Sequence, residues 1–318
     1  MENEKKSNND YLEQFIGEST NSNENISNND MLSEIKGIKR EITGTDLNYI
    51  NIDLSALPLG IFYRHGFKIK IRSAKVSEVQ AYSVVDDQNF LDVTEKMNQL
   101  ISSCVRVELP SGQKGSYKDI KDGDRLSIVF MIRELTFQSG NSLAKEVTCS
   151  HCQNEFSIPF RATSNGKFPK TFESHEMNEK LINYYNEHEK IFEFKIGDGV
   201  FKLAPPTIGI QEIFYENIKD KVNNKKTPNV SFLKIIPFLL HDRITITEDG
   251  IKAKELEFKR YDMTTFQVLN HAVDLMVFGL KGLKYECSEC GMEVHTDMTF
   301  PDGASSLFVV SNPFDYIT

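Results

Sequence analysis

The sequence contains no tryptophan and only five cysteines in 318 residues. It has no long apolar run. The longest, IVFMI from Ile128 and LMVFGL from Leu275, fall far short of the roughly 18–20 residues that a membrane helix needs. The opening MENEKKSNND carries no apolar stretch of the kind a secretory leader requires. Positive charge is also scarce: 37 Lys and Arg stand against 46 Asp and Glu, a net charge of −9. Binding along a phosphate backbone needs a basic surface, so a large nucleic-acid footprint is not expected. These absences point to a chain kept in a reducing cytoplasm, where thiols favour metal binding over disulfides.

Catalytic signatures are missing as well. There is no His-Glu-x-x-His, no Gly-x-Ser-x-Gly and no dinucleotide-binding glycine fingerprint. LPSGQKGSY, from Leu109, looks superficially like a phosphate loop but lacks the Gly-Lys-Ser/Thr ending that supplies the phosphate lysine. Asp86–Asp87 and Glu41–Asp46 have the spacing of ordinary surface carboxylates. The expectation is a protein without enzymatic activity and without a small-molecule substrate.

The first thirty residues contain twelve Asn or Ser, and Met1–Glu34 carries eight acidic residues against two lysines. Such a segment buries too little apolar surface to offset its ordering entropy, so residues 1–45 read as a disordered acidic tail. Two clusters within it have helical spacing: Tyr11, Leu12, Phe15 and Ile16, then Met31, Leu32, Ile35 and Ile38. They are candidate amphipathic helices that form on a partner, with chance apolar residues as the plainer reading.

Residues 46–165 read as an α+β domain. Phe67, Ile69 and Ile71 alternate with Lys68, Lys70 and Arg72, the period of a half-buried strand. Phe90, Val93, Met97, Leu100, Ile101 and Cys104 then fall on one helix face. Cys104 therefore reads as a small core residue. IKDGDRLSIVFMIRELTF predicts a helix capped by Asp122 or Asp124 and buried nearly all round. Arg125 and Arg133 bracket it; pairing with carboxylates such as Asp124 at the edges of the core is the expectation for both, with phosphate binding as the alternative.

Residues 166–283 read as a hairpin followed by helices. GDG at Gly197–Gly199 marks the hairpin turn. Thr207 caps a helix carrying Ile210, Ile213, Phe214 and Ile218, and Pro237 is placed to kink or divide the next one. A third helix runs through Phe266, Leu269, Val273 and Met276 and is expected to end at Gly279. His271 and Asp274, three apart on that helix, read as a solvated or core-edge pair, with a catalytic pair as the alternative.

Four of the five cysteines form two pairs, each separated by two residues. VTCSHC holds Cys149 and Cys152; YECSECG holds Cys287 and Cys290. Each pair sits at a turn between two strand-like segments. Phe156, Ile158 and Phe160 alternate on the way out of the first, and Gly291 suits the turn after the second. Such a turn aims backbone N–H groups at both sulfurs and forms half of a zinc knuckle. Two knuckles facing each other complete a tetrahedral site. The usual spacer is about 15–20 residues. Here 134 residues lie between Cys152 and Cys287, so the zinc ribbon would be split by the insert, and residues 284–318 would hold the second knuckle and a C-terminal strand.

Cys149, Cys152, Cys287 and Cys290 are thus the candidate ligands of a structural Zn2+. Four thiolates leave no open position for catalysis. His151 and His295 lie beside the knuckles as substitute ligands. Two other readings stay open: a CxxC redox protein and a zinc-ribbon accessory factor associated with nucleic acid. The second predicts basic and aromatic residues around the knuckles, whereas KEVTCSHCQNEF and KYECSECGMEVHTD are mixed to acidic.

The order of these parts resembles the hub-assembly subunit of the T4-like bacteriophage baseplate hub family. The likeness rests on Leu57, Pro58, Gly60 and Tyr63, on Gly123, Asp124 and Arg125, on Ile132, Arg133, Leu135 and Thr136, and on Cys149 and Cys152. It covers about residues 50–165. The first knuckle departs from the pattern in lacking a glycine after its second cysteine. The resemblance implies a non-enzymatic component or assembly factor of the tail baseplate. It would work in the host cytoplasm during phage assembly, or in the virion, with other baseplate and hub proteins as partners.

Overall fold

A computed structural model of the chain describes residues 49–137, 143–160, 172–223, 230–239, 247–297 and 303–308. The chain divides into two units, Met1–Leu47 and Asn48–Thr318, and all described residues belong to the second. The acidic tail and its two apolar clusters lie outside the described residues.

The fold is α+β. A first sheet joins β1 (Ile50–Asn51), β2 (Lys68–Ile71) and β3 (Val105–Glu108), all antiparallel. The alternation in β2 does what its period predicts. Ile69 and Ile71 are fully buried, while Lys68 pairs with Glu108 on the facing strand. Helix α1 (Val76–Ser83) and helix α2 (Phe90–Cys104) follow. Asn89 caps α2 by accepting hydrogen bonds from the N–H groups of Leu91 and Asp92. Met97, Leu100, Ile101 and Cys104 on α2 enter the core, each apolar side chain contributing about 1.5–3 kcal/mol by burial. Phe90, expected on that face, is the first residue of the helix and is 64% exposed, its ring meeting only that of Tyr215 among the described aromatic rings.

Helix α3 (Arg125–Thr136) is the centre of this core, with Ile128 to Ile132 all buried. Its N-terminus corrects the expected cap. Neither Asp122 nor Asp124 caps α3 through its side chain. Asp124 turns inward instead, accepting from the Leu59 N–H at 2.9 Å and from the Tyr63 hydroxyl at 2.8 Å. Arg125 accordingly pairs with Asp122 and not with Asp124. Arg133 is buried rather than placed at an edge; its Nε donates to the Leu307 carbonyl and Nη1 meets Glu134.

The stretch from Leu57 to Tyr63 and the stretch Gly123-Asp124-Arg125 are therefore one structural unit. The Tyr63 hydroxyl donates to Asp124 and accepts from the Lys121 N–H at 3.0 Å. Gly60 is required here by space: a Cβ would lie 1.9 Å from the Leu54 carbonyl oxygen.

Two antiparallel hairpins come next in this layer. One pairs β4 (Leu143–Thr148) with β5 (Glu155–Phe160). The second pairs β10 (Leu280–Glu286) with β11 (Glu293–Asp297), and β6 (Phe172–Ser174) adds a third strand along β10. Between them lies the insert. Its sheet joins β7 (Tyr185–Asn186), β8 (Ile191–Ile196) and β9 (Gly199–Leu203), with the expected turn at Gly197. Helix α4 (Ile208–Asn223) starts after Thr207, whose hydroxyl accepts from Ile210 N. Pro237 does divide the next segment, into a helical turn at Val230–Leu233 and a 3-10 turn at Ile236–Phe238. Helices α5 (Glu248–Phe258) and α6 (Met263–Leu275) complete the insert.

Helix α6 ends at Leu275, four residues before the expected Gly279. Gly279 has φ +110 and packs against the backbone of Gly123. It ties the exit of the insert to the entrance of α3. Asp274 on α6 pairs with Lys234 and Asn270, leaving exposed His271 outside that contact. No described helix is long and apolar enough to cross a membrane.

Candidate metal centre

The two hairpins present their turns to each other. Ile158 on β5 and Leu283 on β10 are both fully buried in the main core. One layer outward, the rings of Phe156 and Tyr285 meet across the hairpins with centroids 5.7 Å apart. At the tips sit Cys149, Cys152, Cys287 and Cys290. Lys145 on the first hairpin also donates to the Asp297 carbonyl on the second.

The turns have the same construction. In the first, Cys149 N–H donates to Asn154 O and Gln153 N–H to Cys149 O, at 2.8 and 2.9 Å. In the second, Cys287 N–H donates to Met292 O and Gly291 N–H to Cys287 O, both at 2.9 Å. The residue after the second cysteine takes a left-handed conformation in each, Gln153 at φ 60 and Gly291 at φ 67. The missing glycine of the first knuckle thus changes the residue and not the turn.

The four sulfurs all lie within 4.8 Å of one another. Across the knuckles, Cys149 and Cys290 are 3.7 Å apart, and Cys152 and Cys287 are 3.6 Å apart. Four sulfurs bound at about 2.3 Å around one tetrahedral ion stand about 3.8 Å apart. These two distances match that edge, and the quartet could hold one metal ion. All four cysteines are free thiols.

The first cysteine of each knuckle, Cys149 or Cys287, is buried, while Cys152 is exposed and Cys290 intermediate. Val294 and Phe156 pack beside them. Backbone N–H groups converge on the sulfurs. Cys149 receives those of Cys152 and His151, which hold its thiol below the ordinary value. Cys287 receives those of Cys290 and Glu289 and is lowered to about 6. Asn154 N–H and Met292 N–H lower Cys152 and Cys290, but packing and neighbouring sulfur charge outweigh them, raising both, Cys290 to about 12. Without a cation, ionisation is thus eased at the first cysteine of each knuckle and opposed at the second by its sulfur neighbours. A divalent ion removes that repulsion, which is the electrostatic condition for binding all four sulfurs.

The neighbouring histidines stand apart from this quartet. His151 is exposed. His295 lies between Glu173 at 3.1 Å and Glu293 at 2.9 Å. Cys104, the fifth cysteine, is fully buried on α2 with its sulfur 3.5 Å from Glu78, and burial raises its thiol to about 12.

What the fold and the site define is an α+β protein with a closed four-cysteine centre. No family model, no curated protein and no solved structure matches this chain.

Proposed function

We propose that this chain is a non-enzymatic structural or assembly protein of the baseplate hub of a contractile-tailed bacteriophage, braced by a structural Zn2+. The observation that carries the reading is the closed quartet of Cys149, Cys152, Cys287 and Cys290. Four protein thiolates fill a tetrahedral ion, so the ion holds structure and performs no chemistry on a substrate. Its contribution is folding energy. Two short hairpins whose cysteine pairs stand 134 residues apart in sequence are locked together by one ion.

The resemblance of residues 50–165 to the hub-assembly subunit supports the biological setting. Its motif residues form a connected unit, in which Asp124 joins Leu59 and Tyr63. The function is binding and templating, with other baseplate and hub proteins as partners and the infected cytoplasm as the site of assembly. Inactivating the gene in its phage tests this. The proposal expects lysates with filled heads and no assembled baseplates by electron microscopy. Normal tails in normal number would contradict it.

A further inference from the structure

A cleft of about 320 Å3 opens between the Phe62–Phe67 turn, the end of β3 and the start of β8. Its walls include Phe67, Leu109 and Ile191, and three cations line it: Arg64, Lys121 and Lys190. It is remote in sequence from the cysteine knuckles and makes no use of them.

Lys121 is the unusual member. Its backbone is fixed on both sides, the N–H donating to the Tyr63 hydroxyl and the residue bridging to Thr207. Its ammonium donates to the Pro205 carbonyl at 3.0 Å. Among the described residues no carboxylate lies within ion-pair distance of it. The nearby buried acid, Asp124, is engaged with Leu59 and Tyr63. Asp124 attracts the ammonium through space without bonding to it, and an ammonium packed with no direct ion pair is costly. Burial outweighs that attraction and, with a smaller push from Arg64, holds its pKa down at about 8.

The other charges leave room for an anion. Lys190 makes no ion pair among the described residues, and its backbone is set at φ 59 with its N–H on Asn186 O. Arg64 meets Glu189 at 3.4 Å, but both side chains are largely solvated, 64% and 42% exposed. Such a pair is weak and readily exchanged. Asp119 is occupied by the N–H and hydroxyl of Ser116.

We propose that this cleft binds a carboxylate carried on an apolar group, with Lys121 as the central contact and Arg64 and Lys190 flanking it. A single half-buried ammonium in a cleft walled in part by Phe67 and Ile191 suits one negative charge on an apolar carrier better than a hydrated dianion. A free organic acid and the C-terminal residue of a polypeptide share this chemistry.

The full chain, labelled with 13C at lysine Cε, is titrated with phenylacetate, with neutral phenylacetamide, and with acetyl-Gly-Gly-Leu-Phe as free acid and as amide. The expected result is a saturable shift of the Lys121 signal with the acids alone, together with a rise in its pKa. Tighter binding of the peptide acid than of phenylacetate assigns the site to a polypeptide terminus; the reverse assigns it to a free acid. Lys121→Met should weaken binding at least about tenfold, the scale of one lost charge-assisted contact. If that variant fails to fold, Arg64→Gln and Lys190→Gln, both at the cleft mouth, should each weaken binding several-fold. Equal response to acid and amide, or no saturable shift, overturns the proposal.

Discussion

Gln153 and Gly291 occupy the same position in the two knuckles and share a left-handed backbone, at φ 60 and φ 67. Only glycine takes that conformation without cost. Around Gly291 there is room for a side chain, since a Cβ would meet nothing nearer than Glu286 Oε1 at 3.7 Å. Any difference between the two positions is therefore conformational. Gln153→Gly should stabilise the metal-loaded protein by up to about 1 kcal/mol, and Gly291→Gln should destabilise it by about 1–2 kcal/mol. Thermal melts of the two variants, with metal content held equal, check this. Equal effects of the same sign would show that the turns are not equivalent.

Ligand substitutions should act as a group. Cys149→Ser and Cys287→Ser remove one sulfur each from the same quartet, so each should lose the metal and destabilise the protein to a similar extent. Two independent sites would instead leave about half the metal after either change. Cys104→Ser is the control. It places a hydroxyl at a fully buried position, costing about 1–3 kcal/mol, and should leave metal content unchanged. Metal analysis of the three variants, paired with denaturant melts, separates these outcomes.

Asp124 gives the fold a pH dependence of a definite sign. Burial lifts its carboxyl to about 7, against the lowering pull of the Leu59 N–H, the Tyr63 hydroxyl and Lys121. In the unfolded chain it titrates near its ordinary value of 3.8. Between about 4 and 7 the folded state holds the extra proton, so this group's contribution to stability falls as pH rises through that window. Asp124→Asn cannot titrate. The stability of the native protein minus that of the variant should decline from pH 4 to pH 7 and level off outside it. The cysteine ligands are common to both proteins and cancel. A difference that rises with pH would contradict the assignment.

Gly60 tests the interlock beside Asp124. Alanine there would drive a Cβ into the Leu54 carbonyl, and the turn must open to admit it. Gly60→Ala should cost about 3 kcal/mol, near the upper end for overpacking, as read from a denaturant midpoint. An unchanged midpoint would mean that the turn yields freely.

The legibility of this fold follows the range of each interaction. The α+β class, the strand at Ile69 and Ile71 and the buried helix around Ile128–Ile132 were readable because periodicity is local. The four site cysteines were readable because each pair carries its own turn signature, although only folding places Cys149 beside Cys290. The role of Asp124 was not readable. Its partners lie 61 and 65 residues earlier, and a helix-start aspartate looks the same whether it caps or turns inward. Gly279 misled for a related reason. It is a left-handed glycine, as a helix stop would be, but its position answers to the Gly123 backbone and not to α6. Strand β6, which pairs with β10 across more than a hundred residues, left no local mark.

The central claim is that Cys149, Cys152, Cys287 and Cys290 hold one zinc ion between two knuckles. Elemental mass spectrometry of the purified chain, with thiol titration before and after denaturation in chelator, tests it most directly. The account predicts one zinc per chain, four thiols protected by metal in the native protein, and all five cysteines reactive once it is denatured and stripped. Protein that carries no metal, with the two pairs reactive in the native state or linked as disulfides, would contradict it.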